Sequence, residues 1–251
     1  MTKMQKRIMA ITSAAALLML MAPAAGAMHI KEGYLKVGHS IAWSVLCIPF
    51  LIAGVIKIKS MVQTQRRALI LLAMAGAYAF VLSALKIPSV TGSSSHPTGT
   101  GLGAILFGAA PMSVLGIIVL LFQATLIAHG GLTTLGANCF SMAIAGPYLS
   151  WAIFALCKKL KVNKLVAAFL AASLGDLLTY CVTSVQLALA FPSENGGVGA
   201  TLTTFMGIFA VTQIPLAIIE GLLTAVVIMG LEAWAKPELR EIGYLEGGAG
   251  A

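Results

Sequence analysis

Charge is scarce in this 251-residue sequence: Asp, Glu, Lys and Arg make up only 10% of it, against roughly 25% in an average soluble domain. Hydrophobic residues account for 59%, so the chain reads as a polytopic membrane protein. The formal charge of +8 does not bring nucleic acid into question. Removing Lys3, Lys6 and Arg7 of the leader leaves 13 basic residues against 8 acidic, a charge of +5. Those that remain cluster at the ends of apolar blocks, where cations fix membrane orientation. No nucleic-acid partner is expected. Cysteine is equally sparse. Cys47, Cys139, Cys157 and Cys181 sit among apolar neighbours with no C-x-x-C spacing, and are read as helix-packing residues.

Catalytic signatures are missing too. There is no G-x-x-x-x-G-K-[ST] loop, which excludes the usual route of ATP hydrolysis by this chain itself. Neither H-E-x-x-H nor G-x-S-x-G occurs. Gly99-Thr100-Gly101-Leu102-Gly103 only superficially resembles a dinucleotide turn, because no strand is expected before it. Its glycines are better read as permitting close helix packing. No repeat is visible, and the only low-complexity stretch is Gly247 to Ala251.

What is present begins with a leader. Lys3, Lys6 and Arg7 precede an apolar run from Ile8 to Ala22, Pro23 breaks it, and small residues stand at Ala25 and Ala27. That order predicts a signal peptide, residues 1–27, cleaved after Ala27, with residues 28–251 forming a single transmembrane domain. The competing reading is a retained signal anchor, for which 15 apolar residues are short against the ~20 needed to span.

Six further apolar blocks run from Ile41 to Ile58, Ala68 to Leu85, Gly101 to Ala128, Thr133 to Cys157, Leu165 to Ala190 and Thr201 to Ala235. Lys57, Lys59, Arg66 and Arg67 flank one link, and Lys158, Lys159, Lys161 and Lys164 flank another; both are expected on the cytoplasmic side. The links Pro88 to Thr100 and Phe191 to Ala200 carry no cation and are expected outside. Between His96 and Lys159 the chain must therefore cross an odd number of times, yet only two apolar blocks lie there. The uncharged stretch Gly101 to Cys157, interrupted at Pro111, Gly130-Gly131 and Gly136, has room for three short crossings, or for one crossing and a re-entrant segment. The fold expected is all-α, with six to seven transmembrane helices, the mature N-terminus outside and the C-terminal tail, with Lys236 and Arg240, inside.

The chemistry sits at the leader junction. Cleavage after Ala27 would give Met28 a free amine, with His29 second. Amine, His29 amide nitrogen and His29 imidazole then make two fused, nearly planar chelate rings, and His96, on the same side of the membrane, could close the fourth corner. Four planar nitrogens suit Ni(II) or Cu(II), and low-spin Co(II) also accepts such a field; zinc prefers a tetrahedron. The plainer alternatives are an interfacial His29 and a His96 that bonds local hydroxyls. His39 is read as flanking the first helix and His129 as part of the Gly130-Gly131 turn, rather than as ligands. Asp176 and Glu220 fall inside apolar blocks, where a carboxylate is costly unless paired or facing a polar cavity. Packing against hydroxyls or amides such as Thr179 and Gln186 is the preferred role, and a proton or metal relay the sharper one. A membrane-embedded enzyme using these groups, or a scaffold with no ligand, are the rival classes.

Several runs carry a family resemblance. Met28-His29-Ile30 with Glu32-Gly33, the run Leu82 to Ser93, Ser95-His96-Pro97-Thr98-Gly99, His129 to Asn138, Val182 to Leu187 and Gln213 to Gly221 resemble the CbiM family. Its members are substrate-binding S components of energy-coupling factor cobalt transporters. The resemblance covers essentially the whole mature chain. It implies a divalent metal held by Met28, His29 and His96, and no catalytic residue or resident cofactor. Co2+ would be the transported substrate, destined for cobalamin biosynthesis, with Ni2+ the alternative because nickel-transport relatives share the terminal motif. It further implies a transmembrane coupling subunit (CbiQ-like), ATPase subunits (CbiO-like) and a small accessory membrane protein (CbiN-like) in the bacterial inner membrane. Tyr34 fits the aromatic position that follows Glu32-Gly33, whereas Lys31 is an unusual polar choice beside the site.

Overall fold

The computed structural model describes residues 26–27, 29–64, 68–85, 87–88 and 93–245. Residues 1–25 of the leader and Met28 lie outside the described residues. Among the described residues eight helices follow one another: α1 (Val37–Thr64), α2 (Ala68–Ala84), α3 (Thr100–Phe107), α4 (Ala109–Leu126), α5 (Leu135–Lys159), α6 (Lys164–Ala190), α7 (Gly197–Trp234) and α8 (Lys236–Glu241). Five of them, α1, α4, α5, α6 and α7, are long and apolar enough to cross a membrane, and α2 is a shorter apolar helix of 17 residues. The only strands among the described residues are three short ones, β1 (Gly26–Ala27), β2 (Ile87–Pro88) and β3 (Ser93–Ser95), in the order β1-β3-β2.

The missing crossing between His96 and Lys159 is α3 together with the extended chain before it. An eight-residue helix rises only ~12 Å, too little for a ~30 Å hydrocarbon layer. It begins part-way into the bundle, since Gly99 lies against Ala79 of α2 and Gly101 against Ala172 of α6. It ends at Phe107 and Gly108, which line a cleft of about 420 Å³ with Lys158, Lys161 and Lys164. The chain thus travels from the end of the bundle that holds the histidines to the end that holds the lysines on residues 93–107. It returns on α4 and goes back on α5, giving the three passages that the charge pattern requires.

The apolar block Gly101 to Ala128 is therefore two helices rather than one. The break falls at Gly108, with φ of +90°, and Pro111 sits in the first turn of α4, where its missing N–H costs nothing. Gly136 does not interrupt α5. A Cβ there would meet Ser44 Cα at 2.6 Å, so Gly136 is where α1 and α5 touch. Gly116 against Ala143, Gly175 against Ser150 and Gly221 against Ser173 show the same small-residue packing, which replaces the hydrophobic drive that lipid cannot supply.

α6 is the central helix, with half of its apolar window buried, whereas only 11% of the window in α1 is covered. α5 carries a π-helical segment, Cys139–Ala145, between its two α-helical parts. Pro147 has no N–H to return to the carbonyl of Ala143, and Gly146 instead donates back to Ser141. The wider turn carries Met142 and borders the functional residues, a common position for such segments.

Gly99 is the tightest point of the re-entrant passage. Its φ is +68°, and an added Cβ would lie 2.7 Å from Ala79 Cα and 3.2 Å from the Tyr78 carbonyl. Gly99→Ala combines a left-handed backbone with a clash against a helix backbone, each costing on the order of 1–2 kcal/mol. The expected outcome is a thermal midpoint in detergent lowered by roughly 5–10 °C; an unchanged midpoint would mean that α2 and the loop do not pack as described.

Candidate metal centre

Two segments distant in sequence build the site. The segment starting at His29 lies along the run His129 to Asn138. Asn138 offers its amide to Ile30 as a strand would: Ile30 N–H donates to Asn138 Oδ1 at 2.8 Å, and Asn138 Nδ2 donates to the Ile30 carbonyl at 3.0 Å. The Thr134 hydroxyl donates to the same carbonyl at 2.6 Å. Further out, Gly33 N–H donates to Thr133 Oγ1 at 2.9 Å, and Thr133 N–H donates to the Glu32 carboxylate at 3.2 Å. The Thr133 side chain foremost, with the backbone N–H groups of Thr133 and Leu132, holds the Glu32 carboxyl below its usual range. Gly131 allows the approach, since a Cβ there would meet Glu32 Cα at 2.4 Å.

The second segment arrives through the small sheet. β1 and β3 are parallel, with Gly26 opposite Ser93 and Ala27 opposite Ser94. Two residues further along each chain stand His29 and His96, and their rings meet. His96 Nε2 lies 2.9 Å from His29 Nδ1, with the rings stacked at 4.6 Å between centroids. His129 closes the cluster, its Nε2 2.7 Å from the same His29 Nδ1. All three are buried, at 4%, 0% and 1% exposure, and one ring nitrogen from each lies within 4.8 Å of the others.

Partners assign the tautomers. The Pro97 carbonyl, 3.0 Å from His96 Nδ1, can only accept, so Nδ1 carries the proton and Nε2 presents its lone pair. The Met142 thioether, 3.2 Å from His29 Nε2, likewise only accepts, which leaves His29 Nδ1 bare. His29 Nδ1 thus turns its lone pair toward two neighbouring Nε2 atoms, that of His96 at 2.9 Å and that of His129 at 2.7 Å. Ligands on metal–nitrogen bonds of 2.0–2.1 Å at right angles are about 2.8–3.0 Å apart. The spacing is that of neighbouring ligands on one ion.

The His96 loop is held from beneath by the two intramembrane carboxylates. Glu220 Oε2 accepts from Thr98 N–H at 2.5 Å, and Glu220 Oε1 accepts from Gly99 N–H at 3.0 Å and from the Thr98 hydroxyl at 3.0 Å. Gln213 Nε2 donates to Asp176 Oδ2 at 2.8 Å and to the His96 carbonyl at 3.2 Å. The carboxylates do bond to amides and hydroxyls, but not to the ones expected. Thr179 donates to its own helix at Gly175, and Gln186 donates to the Ala137 carbonyl.

Sequence reasoning placed His29 and His96 together, and the structure brings them together; Met28 lies outside the described residues. His129 does begin the Gly130-Gly131 turn, its N–H bonded to Gln123 at 3.0 Å, yet reading it as a turn residue alone was incomplete, because its ring completes the cluster. The signal was available in the parity of crossings: of the three passages between His96 and Lys159, two precede residue 129 and put it back at the same end. His39, in the first turn of α1, is half-buried and outside the cluster, and the four cysteines are unpaired packing residues, as expected.

A bundle of helices apolar enough to cross a membrane, in which three buried imidazoles converge, defines a membrane protein with a cluster that could hold a metal ion. The particular family follows from comparison: the CbiM family, described as the cobalt uptake substrate-specific transmembrane region, matches residues 29–239, and the chain belongs to it. A cobalt transport protein CbiM of Lachnoclostridium phytofermentans is 64% identical over 99% of both chains. One from Chlorobium limicola is 60% identical over 87% of this chain and 86% of its own. Two solved structures of transition metal transporters, one of them truncated, superpose with TM-scores of 0.72 at 25–26% identity. They cover 82–83% of this chain and 94–98% of theirs. The chain is a transmembrane component of cobalt uptake, and its curated relatives are named as transport proteins.

Proposed function

We propose that this chain is the substrate-binding subunit of an ATP-driven energy-coupling factor importer for Co2+, supplying cobalamin biosynthesis. The observation that carries the metal site is the convergence of three buried imidazoles, with His29 Nδ1 2.9 Å from His96 Nε2 and one ring nitrogen of each of His29, His96 and His129 within 4.8 Å of the others. Nδ1 is also the one nitrogen of the His29 ring from which a six-membered chelate ring can close onto the backbone nitrogen of the same residue. With the leader removed after Ala27, the Met28 amine adds a five-membered ring, and His96 Nε2 falls trans to the amide. In that plane His96 neighbours Nδ1, in keeping with their separation.

The rest of the machine lies in other chains. A CbiQ-like coupling subunit, CbiO-like ATPases and a CbiN-like accessory protein would work with this one, with its mature N-terminus outside and its C-terminus in the cytoplasm. N-terminal sequencing and metal analysis of one purified sample test the reading. A chain starting at Met28 with one Co2+ bound supports it; such a chain that binds neither Co2+ nor Ni2+ overturns it. Competition between the two ions on that sample decides their order, which planar nitrogen ligation leaves open.

Acid should release the metal, because amine, amide and imidazole all lose protons to bind. The clasp at Glu32 is not the cause. Its lowered pKa means that its contribution is present above the ordinary carboxylate value and is lost only as pH falls through the lowered one. Because each proton released on binding is worth a factor of about 10 per pH unit, metal affinity measured by isothermal calorimetry should drop at least about 100-fold between pH 7.5 and 5.5, the worth of the amide proton alone, and a flat profile would count against these ligands.

A further inference from the structure

The carboxylate of Glu220 lies beneath the His96 loop at a depth where irregular backbone is hard to sustain. Residues 96–99 are not helical, Pro97 has no N–H, and α3 starts at Thr100 without a side-chain cap. Gly99 lies beside the middle of α2, so Thr98 N–H and Gly99 N–H point into protein at membrane depth. Such donors must be satisfied by protein. Both are satisfied by one side chain, each on a different oxygen of Glu220, and the Thr98 hydroxyl uses the same group. Gln213, seven residues earlier on α7, takes the His96 carbonyl and is itself held by Asp176 of α6. Every residue of this polar group is buried, none above 2% exposure.

We infer that Glu220 is the positioning residue of the metal site, a two-oxygen clamp on Thr98 and Gly99 that aims His96 Nε2 at His29, with Gln213 and Asp176 bracing the carbonyl side of the same loop. The inference rests on the metal-site reading above. A carboxylate is required, and not merely a polar residue, because both of its oxygens must accept. Glutamine has the same size but one oxygen, so in Glu220→Gln an NH2 group faces one of the two backbone N–H groups. That donor-to-donor contact is relieved only by moving the loop, and the loop carries His96. α6 and α7 are long helices, of 27 and 38 residues, and both reach the lysine end, where Lys164 bonds Glu232. The clamp thus also ties loop position to the two helices that reach the opposite face.

The test uses the full mature chain in detergent with Cu(II) as the probe, since its electron paramagnetic resonance signal reports the number of equatorial nitrogens. The wild type should show four. Glu220→Gln should show three nitrogens, the signature of His96→Ala, with affinity reduced 10- to 100-fold, the usual range for the loss of a supporting partner. Circular dichroism should stay that of the wild type. A four-nitrogen signal at wild-type affinity in Glu220→Gln overturns the clamp. Where that variant does not fold, Gln213→Met removes the donor to the His96 carbonyl at similar length, and is judged by the same two outcomes. A wild-type chain that shows no nitrogen ligation fails the site itself, a result distinct from any behaviour of Glu220→Gln.

Discussion

His29→Ala should abolish cobalt capture while leaving the protein folded. The ring's polar neighbours are the two other imidazoles and the Met142 sulfur, so its removal takes little from the packing that holds the helices together. What it takes from the ion is more than one ligand. An amide nitrogen gives up its proton to a metal only when a neighbouring ligand anchors the ion there, and most readily when one stands on each side. Without the imidazole the chelate keeps the amine on one side and nothing on the other. The loss should exceed the 10- to 100-fold typical of a supporting residue, and an affinity reduced by about 100-fold or more is expected by calorimetry with Co2+. His96→Ala should be milder, because both fused rings survive it and water can fill the fourth position. If His29→Ala binds Co2+ as the wild type does, the three-histidine cluster is a packing feature.

The two effects differ for a reason that also explains how much could be read without coordinates. The fused rings are local chemistry of Met28 and His29, legible as two letters after a leader. The remainder of the site is tertiary. Charge placed Lys57 and Lys158 at one end of the bundle and demanded an odd number of crossings between His96 and Lys159, and the structure supplies it with residues 93–107, α4 and α5. Hydropathy could not find that first passage, because α3 and α4 merge into one apolar block whose break is a single glycine, Gly108, with positive φ. A backbone angle leaves no trace in composition. The partners of Asp176 and Glu220 were illegible for a related reason: Thr179 and Gln186 are near Asp176 in sequence, but the polar groups left over in this fold belong to an irregular loop. Loop amides at membrane depth exist only once the loop is known to dip. His129 stood between. Its position after a helix at the His96 end followed from parity, but its aim depends on the hydrogen bonds that hold His29 against Asn138.

Blocking cleavage at Ala27 should have an effect as large as losing His29, with every residue of the site intact. Signal processing requires a small residue before the cut, so Ala27→Phe should leave the leader attached. In the uncut chain the nitrogen of Met28 is an amide. Its lone pair is delocalised into the neighbouring carbonyl, and it offers a metal nothing until it too loses a proton. The five-membered ring does not form, and with it goes the anchor that lets the His29 amide bind. The protein should still reach the membrane, because the apolar helices that span it and the cations that orient it are unchanged by the substitution. Mass spectrometry of purified Ala27→Phe should show the leader retained, the cobalt content should fall to background, and uptake should fall with it. An uncut chain that binds Co2+ at wild-type affinity would remove the terminal amine from the site and leave only imidazoles to hold the ion.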